Sequence, residues 1–189
     1  MRLLALLLVA VLGLAACGGA DPEAPAGGAA TLPGPVPADL ALRPVPPGTP
    51  SAPVFTGTLT DGTALAAADL WAERPVVLLF FASWCTTCAD RQDALSDLAR
   101  DYRDRVVFVG VVTGDEPAEL EAYLRAHEAE FPVVVDADGT ISRSYAVREP
   151  GAVAVVAKGG ALLRGWPGGL DASTLDNRIR ELLLDEVSR

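Results

Sequence analysis

An uninterrupted apolar run followed closely by two cysteines constrains the fold more than any other feature of the chain. Residues 76–82, Val-Val-Leu-Leu-Phe-Phe-Ala, contain no polar side chain. A run of this length is typical of a strand that is buried on both faces of a sheet. Cys85 and Cys88 follow in the motif Trp-Cys-Thr-Thr-Cys, where helical spacing of apolar residues begins. The sequence therefore predicts a dithiol between a central strand and a helix.

The position of the two cysteines predicts redox chemistry. A helix N-terminus carries about half a positive charge, so it stabilises a thiolate and makes the first cysteine the better nucleophile. We assign Cys85 as the exposed nucleophile and Cys88 as the buried thiol that closes a disulfide. Thr86 and Thr87 are expected to set the local electrostatic field at the sulfurs and thereby the reduction potential of the pair. Trp84 either shields one side of the site or only packs beside it.

The remaining hydrophobic pattern predicts an α/β sandwich. The expected elements are a hairpin (54–59 with 63–65), strands at 76–82, 105–112 and 132–135 alternating with helices, a second hairpin (152–157 with 161–164) and a helix over 170–187. Parallel units followed by an antiparallel pair give a central mixed β-sheet with helices on both faces. The first hairpin is then an N-terminal extension of that sheet.

The N-terminus predicts export and lipidation. Residues 1–16 combine one basic residue with a short apolar stretch, which indicates a signal peptide. The stretch ends in Leu-Ala-Ala-Cys, which resembles the lipobox of bacterial lipoproteins and makes Cys17 the lipidated residue. The alternative is an ordinary signal peptide with a nearby cleavage site. Residues 17–53 are rich in Pro, Gly and Ala and are predicted to form a disordered tether, while residues 54–189 form one domain.

Charge narrows the range of partners. The 189-residue chain has a formal net charge of −10, which argues against binding to nucleic acid and against electrostatic adhesion to anionic lipid. We therefore expect the lipid on Cys17, and not charge, to hold the protein on the extracytoplasmic face of the membrane.

The dithiol segment and a later strand resemble the TlpA/ResA-like family of membrane-anchored thiol–disulfide oxidoreductases. The matching motifs are Phe-Phe-Ala-Ser-Trp-Cys-Thr-Thr-Cys at residues 80–88 and Phe-Pro-Val-Val-Val-Asp-Ala-Asp-Gly at residues 131–139. The resemblance implies a thioredoxin-like fold and reduction of disulfides in exported proteins, such as those of cytochrome c maturation or copper sites. It also implies a membrane thiol electron donor, a monomer, no metal, and no cofactor besides a redox-active Cys85–Cys88 disulfide.

Two departures from the family pattern affect the site. The family has Glu and Pro three and five residues after the second cysteine, where this chain has Arg91 and Asp93. The fold also places a cis-proline opposite the dithiol, and the spacing puts Gly151 there with Pro150 one residue early. We expect a cis Glu149–Pro150 bond with a one-residue shift, because X-Pro is nearly the only peptide that adopts cis. The alternative is a loop without a cis-proline.

The identity of an acid–base helper is open. Glu73 and Glu149 are the candidates, although a solvated surface charge explains each of them more simply. His127, the only histidine, is expected on an exposed helix face, which argues against metal catalysis and against a Cys/His hydrolase. A redox-inactive binding module remains possible, as does a metal-handling protein if Gly151 replaces the cis-proline. The direction of electron flow, reductase or oxidant, is not determined by the sequence.

Overall fold

The apolar run forms the strand at the middle of the sheet. The computed structural model describes residues 24–185. Its strands are β1 (Thr56–Leu59), β2 (Ala64–Ala66), β3 (Val76–Phe81), β4 (Val107–Val112), β5 (Val133–Val135), β6 (Val153–Val156) and β7 (Leu162–Trp166). They form one sheet in the order β2-β1-β5-β4-β3-β6-β7, in which β3, β4 and β5 run parallel. The other pairings are antiparallel.

Helices cover both faces of this sheet, which confirms the predicted α/β sandwich with an N-terminal hairpin. The helices are α1 (Ala67–Glu73), α2 (Thr86–Tyr102), α3 (Pro117–Ala126), α4 (Thr140–Ser144) and α5 (Ala172–Leu182). Alternate residues of a strand point to opposite faces, so Val77 and Leu79 join the core beneath α2, α3 and α5. Val76 and Leu78 join the core beneath α1 and α4. Burial of all six β3 residues stabilises the fold by about 1.5–3 kcal/mol for each large side chain.

Two helices differ from the sequence prediction. The last helix ends at Leu182, before the predicted end at residue 187, because Leu184 leaves the helix to form an antiparallel bridge with Leu42. Helix α4 was not predicted and depends on Asp136, a carboxylate only 2% exposed. Its two oxygens accept the N–H groups of Ile141 and Ser142 at 3.0 and 2.8 Å. These bonds satisfy N–H donors that the start of a helix otherwise leaves unpaired.

The predicted disordered tether is wrong for residues 24–53, which we name the N-terminal arm. The arm lies against the domain: the Val133 N–H donates to the Gly27 carbonyl at 2.7 Å, and the Arg43 N–H donates to the Leu183 carbonyl at 2.9 Å. Gly27 approaches β5 so closely that a Cβ there would lie 2.9 Å from Val133 Cβ. Composition misled the prediction because the arm is held by backbone hydrogen bonds and by small residues, which produce no hydrophobic periodicity.

A buried arginine fastens the middle of the arm to the domain. Arg74 is 5% exposed, and its guanidinium donates to the Gly34 carbonyl at 2.5 Å and to the Asp104 carbonyl at 3.1 Å. Burial lowers the pKa of this guanidinium from its ordinary value, and the carboxylates of Asp104 and Glu73 oppose that shift. The predicted signal peptide and Cys17 lie outside the described residues.

No helix within residues 24–185 is long and apolar enough to cross a membrane.

Candidate functional site

Cys85 and Cys88 form a disulfide at the start of α2. Their Cα atoms are 5.2 Å apart. Cys85 is the N-cap residue of the helix, and its Sγ accepts the Cys88 N–H at 3.1 Å. A sulfur at this place faces the unpaired N–H donors and the positive end of the helix dipole. The helix therefore stabilises a thiolate on Cys85 once the disulfide is reduced.

The prediction that Cys85 is the exposed cysteine is wrong for this oxidised form. Both cysteines are 6% exposed. The physical reason is the disulfide itself, which turns Cys85 Sγ toward Cys88 and toward the first turn of the helix. Whether a substrate can reach the Cys85 sulfur therefore depends on how open the neighbouring motif residues are.

The residues around the two cysteines are largely open to solvent. Trp84 is 63% exposed, so it does not pack in the core. Thr86 and Thr87 are also exposed, and Thr87 Oγ1 lies 3.4 Å from Cys85 Sγ. The Thr87 hydroxyl is thus within reach to donate a hydrogen bond to a Cys85 thiolate.

The expected cis Glu149–Pro150 bond is wrong: none of the peptide bonds within residues 24–185 is cis. The turn opposite the dithiol is made by Gly151, with φ +104°, and its N–H donates to the Phe80 carbonyl at 2.6 Å. A Cβ on Gly151 would lie 3.9 Å from Cys88 Sγ. A glycine adopts this φ without strain, so a turn forms here without a cis-proline.

The loop at residues 167–171, between β7 and α5, covers the Gly151 turn. A Cβ on Gly169 would lie 2.1 Å from the Gly151 carbonyl oxygen, so only a glycine permits this approach. Arg91, one of the two departures in the helix, donates to the Gly168 carbonyl at 3.2 Å. Arg91 therefore joins the helix that carries the dithiol to the loop that supports the turn opposite it.

The second departure, Asp93, pairs with the only histidine. Asp93 Oδ1 lies 2.6 Å from Nδ1 of His127, and the imidazole ring centroid lies 4.5 Å from that of Tyr123. The side chain of His127 is only 20% exposed. The prediction of an exposed histidine is therefore wrong, because the ring stands at the end of α3 and packs against Tyr123 and the side of α2.

A buried polar group lies one turn beyond Cys88. Gln92 is 2% exposed, and its Oε1 accepts the Tyr123 hydroxyl at 3.4 Å. Burial, and after it the negative charges of Asp93 and Asp115, raise the pKa of the Tyr123 hydroxyl well above its ordinary value. Tyr123 therefore stays neutral at physiological pH and acts here as a hydrogen-bond donor.

Asp115, which was not among the predicted site residues, places a carboxylate against the dithiol loop. Its Oδ2 accepts the N–H of Ser83, two residues before Cys85, at 2.7 Å. Its Oδ1 is buried and has no hydrogen-bond partner within residues 24–185. The sequence could have placed Asp115 near the dithiol. Asp115 follows β4, the dithiol follows β3, and neighbouring parallel strands end at the same edge of a sheet.

The two predicted acid–base helpers, Glu73 and Glu149, make no hydrogen bond to the dithiol loop within residues 24–185. Glu73 is exposed at the end of α1, before β3 begins, and β3 spans about 20 Å between that end and the dithiol end. Glu149 is exposed and lines a cleft beside Trp84. Among the acidic side chains of residues 24–185, Asp115 is the one that hydrogen-bonds the loop leading to Cys85. Within the described part of the chain, no group of three or more His, Cys, Asp or Glu residues could hold a metal ion.

Two curated proteins are similar to about half of this chain. The chain is 31% identical over 93 residues to the soluble secreted antigen MPT53 of Mycobacterium tuberculosis, covering 49% of this chain and 53% of that protein. It is 26% identical over 97 residues to the thiol-disulfide oxidoreductase ResA of Bacillus cereus, covering 51% of this chain and 56% of ResA. The chain thus spans about half the length of these curated relatives.

A solved structure agrees over a longer stretch. The crystal structure of a secreted Mycobacterium tuberculosis disulfide oxidoreductase, described as homologous to Escherichia coli DsbE, has a TM-score of 0.61 and 26% identity, covering 68% of this chain and 96% of that one. These likenesses confirm the thioredoxin-like fold and the resemblance to TlpA/ResA-like proteins. The model of the AhpC/TSA family matches residues 49–164, which include the dithiol and the Gly151 turn. The chain therefore belongs to the AhpC/TSA family of thioredoxin-like proteins.

Proposed function

We propose that this protein is a thiol–disulfide oxidoreductase that reduces disulfides in exported polypeptides. The observation that carries the proposal is the Cys85–Cys88 disulfide, whose first sulfur caps the N-terminus of α2. The secreted disulfide oxidoreductase with a similar structure and the similarity to ResA support it. The protein acts as a monomer and needs no cofactor other than its own disulfide.

The reaction transfers two electrons through one mixed disulfide. In the reduced enzyme, the Cys85 thiolate attacks one sulfur of a substrate disulfide, so a Cys85–substrate bond forms and the other substrate sulfur leaves as a thiolate. Cys88 then loses its proton and attacks Cys85 Sγ, which releases the second substrate thiolate and forms the disulfide seen in the structure. The substrate is reduced and the enzyme is oxidised. A membrane thiol donor restores the dithiol by the same exchange in reverse.

The N-terminal arm limits how far the domain stands from the membrane. The proposed lipid is attached to Cys17, and the arm is held against the domain from Ala24, whose carbonyl accepts a bond from Arg125 at 3.2 Å. Seven residues of extended chain span at most about 25 Å. The enzyme therefore works close to the membrane that holds its donor, and substrates come to it there.

Reduction of insulin disulfides tests the activity directly. The full chain, kept reduced by dithiothreitol, is expected to accelerate insulin precipitation well above the rate with dithiothreitol alone. A redox-inactive binding module is the competing possibility. It predicts the dithiothreitol rate with the protein present, and that outcome would rule out the proposed activity.

The charge of Asp115 is expected to make the dithiol more reducing. A half-buried negative charge near the loop before Cys85 destabilises the thiolate of the reduced form, so it lowers the reduction potential. Asp115→Asn keeps an oxygen acceptor for the Ser83 N–H but removes the charge. We expect the potential to rise by about 30 mV, which corresponds to about 1.4 kcal/mol for a two-electron couple.

A neighbouring acid provides the control for this change. Glu116 is exposed, and its side chain makes no capping bond to α3, so Glu116→Gln removes an equal charge without touching the loop. Its potential should stay within about 10 mV of the unaltered protein, since exposed charges are screened. Equal shifts of the reduction potential in Asp115→Asn and Glu116→Gln would show that the potential responds only to the net charge of the protein and not to the position of Asp115.

A further inference from the structure

Two clefts lie side by side next to Trp84 and share a wall. The first, of about 280 Å³, lies between Trp84, Thr113 and Arg143. The second, of about 430 Å³, lies over β6 and β7 and extends to Trp166. Both are lined by the segment 147–149 and by Phe80. They form one continuous surface that begins at the residue before Cys85.

The second cleft is an apolar trough in the sheet face. Ala154 of β6 pairs with Gly165 of β7, and these small residues leave a depression beside the larger Leu162. A volume of this size accommodates more than one amino-acid side chain, and the lining is mainly apolar. The trough is therefore shaped for an apolar side chain of an extended polypeptide.

The first cleft reverses the charge balance of the chain. The sequence has 25 acidic and 15 basic residues, yet the clefts are lined by Arg143, Arg148 and one acid, Glu149. Arg143 donates to the backbone carbonyl of Asp138. The pKa of the Asp138 carboxyl is lowered mainly by hydrogen bonds from Thr140 and less by the charge of Arg143, so the Arg143 charge is partly compensated. Arg148 is exposed and forms no ion pair within residues 24–185. An acidic ligand group is thus complementary to the first cleft.

We propose that these clefts select the substrate of the reductase, by binding an extended polypeptide segment with an acidic and an apolar side chain near its disulfide. The acidic side chain pairs with Arg148 and, less strongly, with Arg143. The apolar side chain lies in the trough over Ala154 and Gly165. Trp84 lines the first cleft and directly precedes Cys85, so a segment bound in this cleft lies next to the dithiol. This inference rests on the proposed function, since it names the substrates of that reaction.

A matched peptide pair tests the selection. Two peptides, each cyclised by one disulfide and containing one leucine, differ only in two flanking residues, Asp-Asp or Lys-Lys. The reduced full-length protein is mixed with each, and the second-order rate constants are compared at low and at high salt. The variants are Arg148→Glu and Lys158→Glu, which change net charge equally. Lys158 is exposed in the β6–β7 turn, at the sheet edge opposite Gly151.

We expect the acidic peptide to be reduced at least about fivefold faster than the lysine peptide at low salt, with a ratio near one in 1 M salt. Arg148→Glu should remove or invert the preference, whereas Lys158→Glu should keep it within about twofold. Replacing the peptide leucine with serine should slow both reactions. A ratio near one for the unaltered protein, or the same change in both variants, would overturn the proposal.

A neutral disulfide and a redox-inert peptide separate this inference from the activity itself. Hydroxyethyl disulfide carries no charge. If it is reduced normally but neither peptide is preferred, the proposed role of the clefts is refuted and the proposed reductase activity stands. No reduction of hydroxyethyl disulfide or of either peptide refutes the proposed function instead. In that case, calorimetry with serine-for-cysteine versions of both peptides still measures the cleft: tighter binding of the acidic version supports the proposal, and equal binding refutes it.

Discussion

Cys88→Ala is expected to accumulate a covalent complex with substrate through Cys85, while Cys85→Ala is expected to form none. Both variants should reduce insulin at least about 10³-fold more slowly than the unaltered protein, because each lacks a sulfur that the two-step exchange requires. The asymmetry arises because Cys85 Sγ caps α2 and receives the stabilisation of the helix N-terminus. Non-reducing electrophoresis followed by mass spectrometry identifies the sulfur that holds the substrate.

The third cysteine provides the control. Cys17→Ser leaves the Cys85–Cys88 couple untouched, so the soluble form of this variant should reduce insulin at the unaltered rate. A complex trapped through Cys88 in Cys85→Ala, with none in Cys88→Ala, would reverse the assigned order. Loss of activity in Cys17→Ser would contradict the assignment of that cysteine to lipid.

Gly169→Ala is expected to destabilise the domain by about 3 kcal/mol and to slow disulfide reduction. The backbone of Gly169 has φ +72°, where an L-residue is strained by about 1–2 kcal/mol. Its Cβ would also lie 2.1 Å from the Gly151 carbonyl oxygen. That overlap must displace the turn that faces Cys88, at a further cost of about 1–3 kcal/mol. Urea unfolding and the insulin assay measure the two effects.

The adjacent glycine makes a close control. Gly168→Ala introduces a Cβ with no atom within 4 Å, and φ at this residue is not in the left-handed region. Its free energy of unfolding should change by no more than about 0.5 kcal/mol, and its activity should be unchanged. Equal destabilisation by the two substitutions would mean that the close approach of the loop to the Gly151 turn has no energetic weight.

The part of the site that was predictable from the sequence depends on local patterns. An apolar run followed by Trp-Cys-Thr-Thr-Cys predicted β3, the start of α2 and the dithiol, because strand burial and helix initiation leave short-range signals. The Gly-Gly turn of the second hairpin was predictable for the same reason.

Long-range contacts were not predictable in this way. The backbone groups of the N-terminal arm bond to partners far along the chain, 40 residues away for Gly34 and Arg74 and 140 residues away for Arg43 and Leu183. The role of Gly151 depends on a neighbouring loop that places Gly169 against it. The position of Asp115 near the dithiol loop was predictable, because it requires only the rule that neighbouring parallel strands end at the same edge of the sheet.

The reduction potential of the Cys85–Cys88 couple tests the central claim most directly. The full chain is equilibrated at pH 7 with defined ratios of reduced and oxidised dithiothreitol or glutathione, and the thiol content is measured by alkylation and mass spectrometry. A reductase of exported proteins predicts a value near that of thioredoxin, about −270 mV. A value near about −120 mV, as for a strong protein oxidant, would contradict the proposed direction of electron flow.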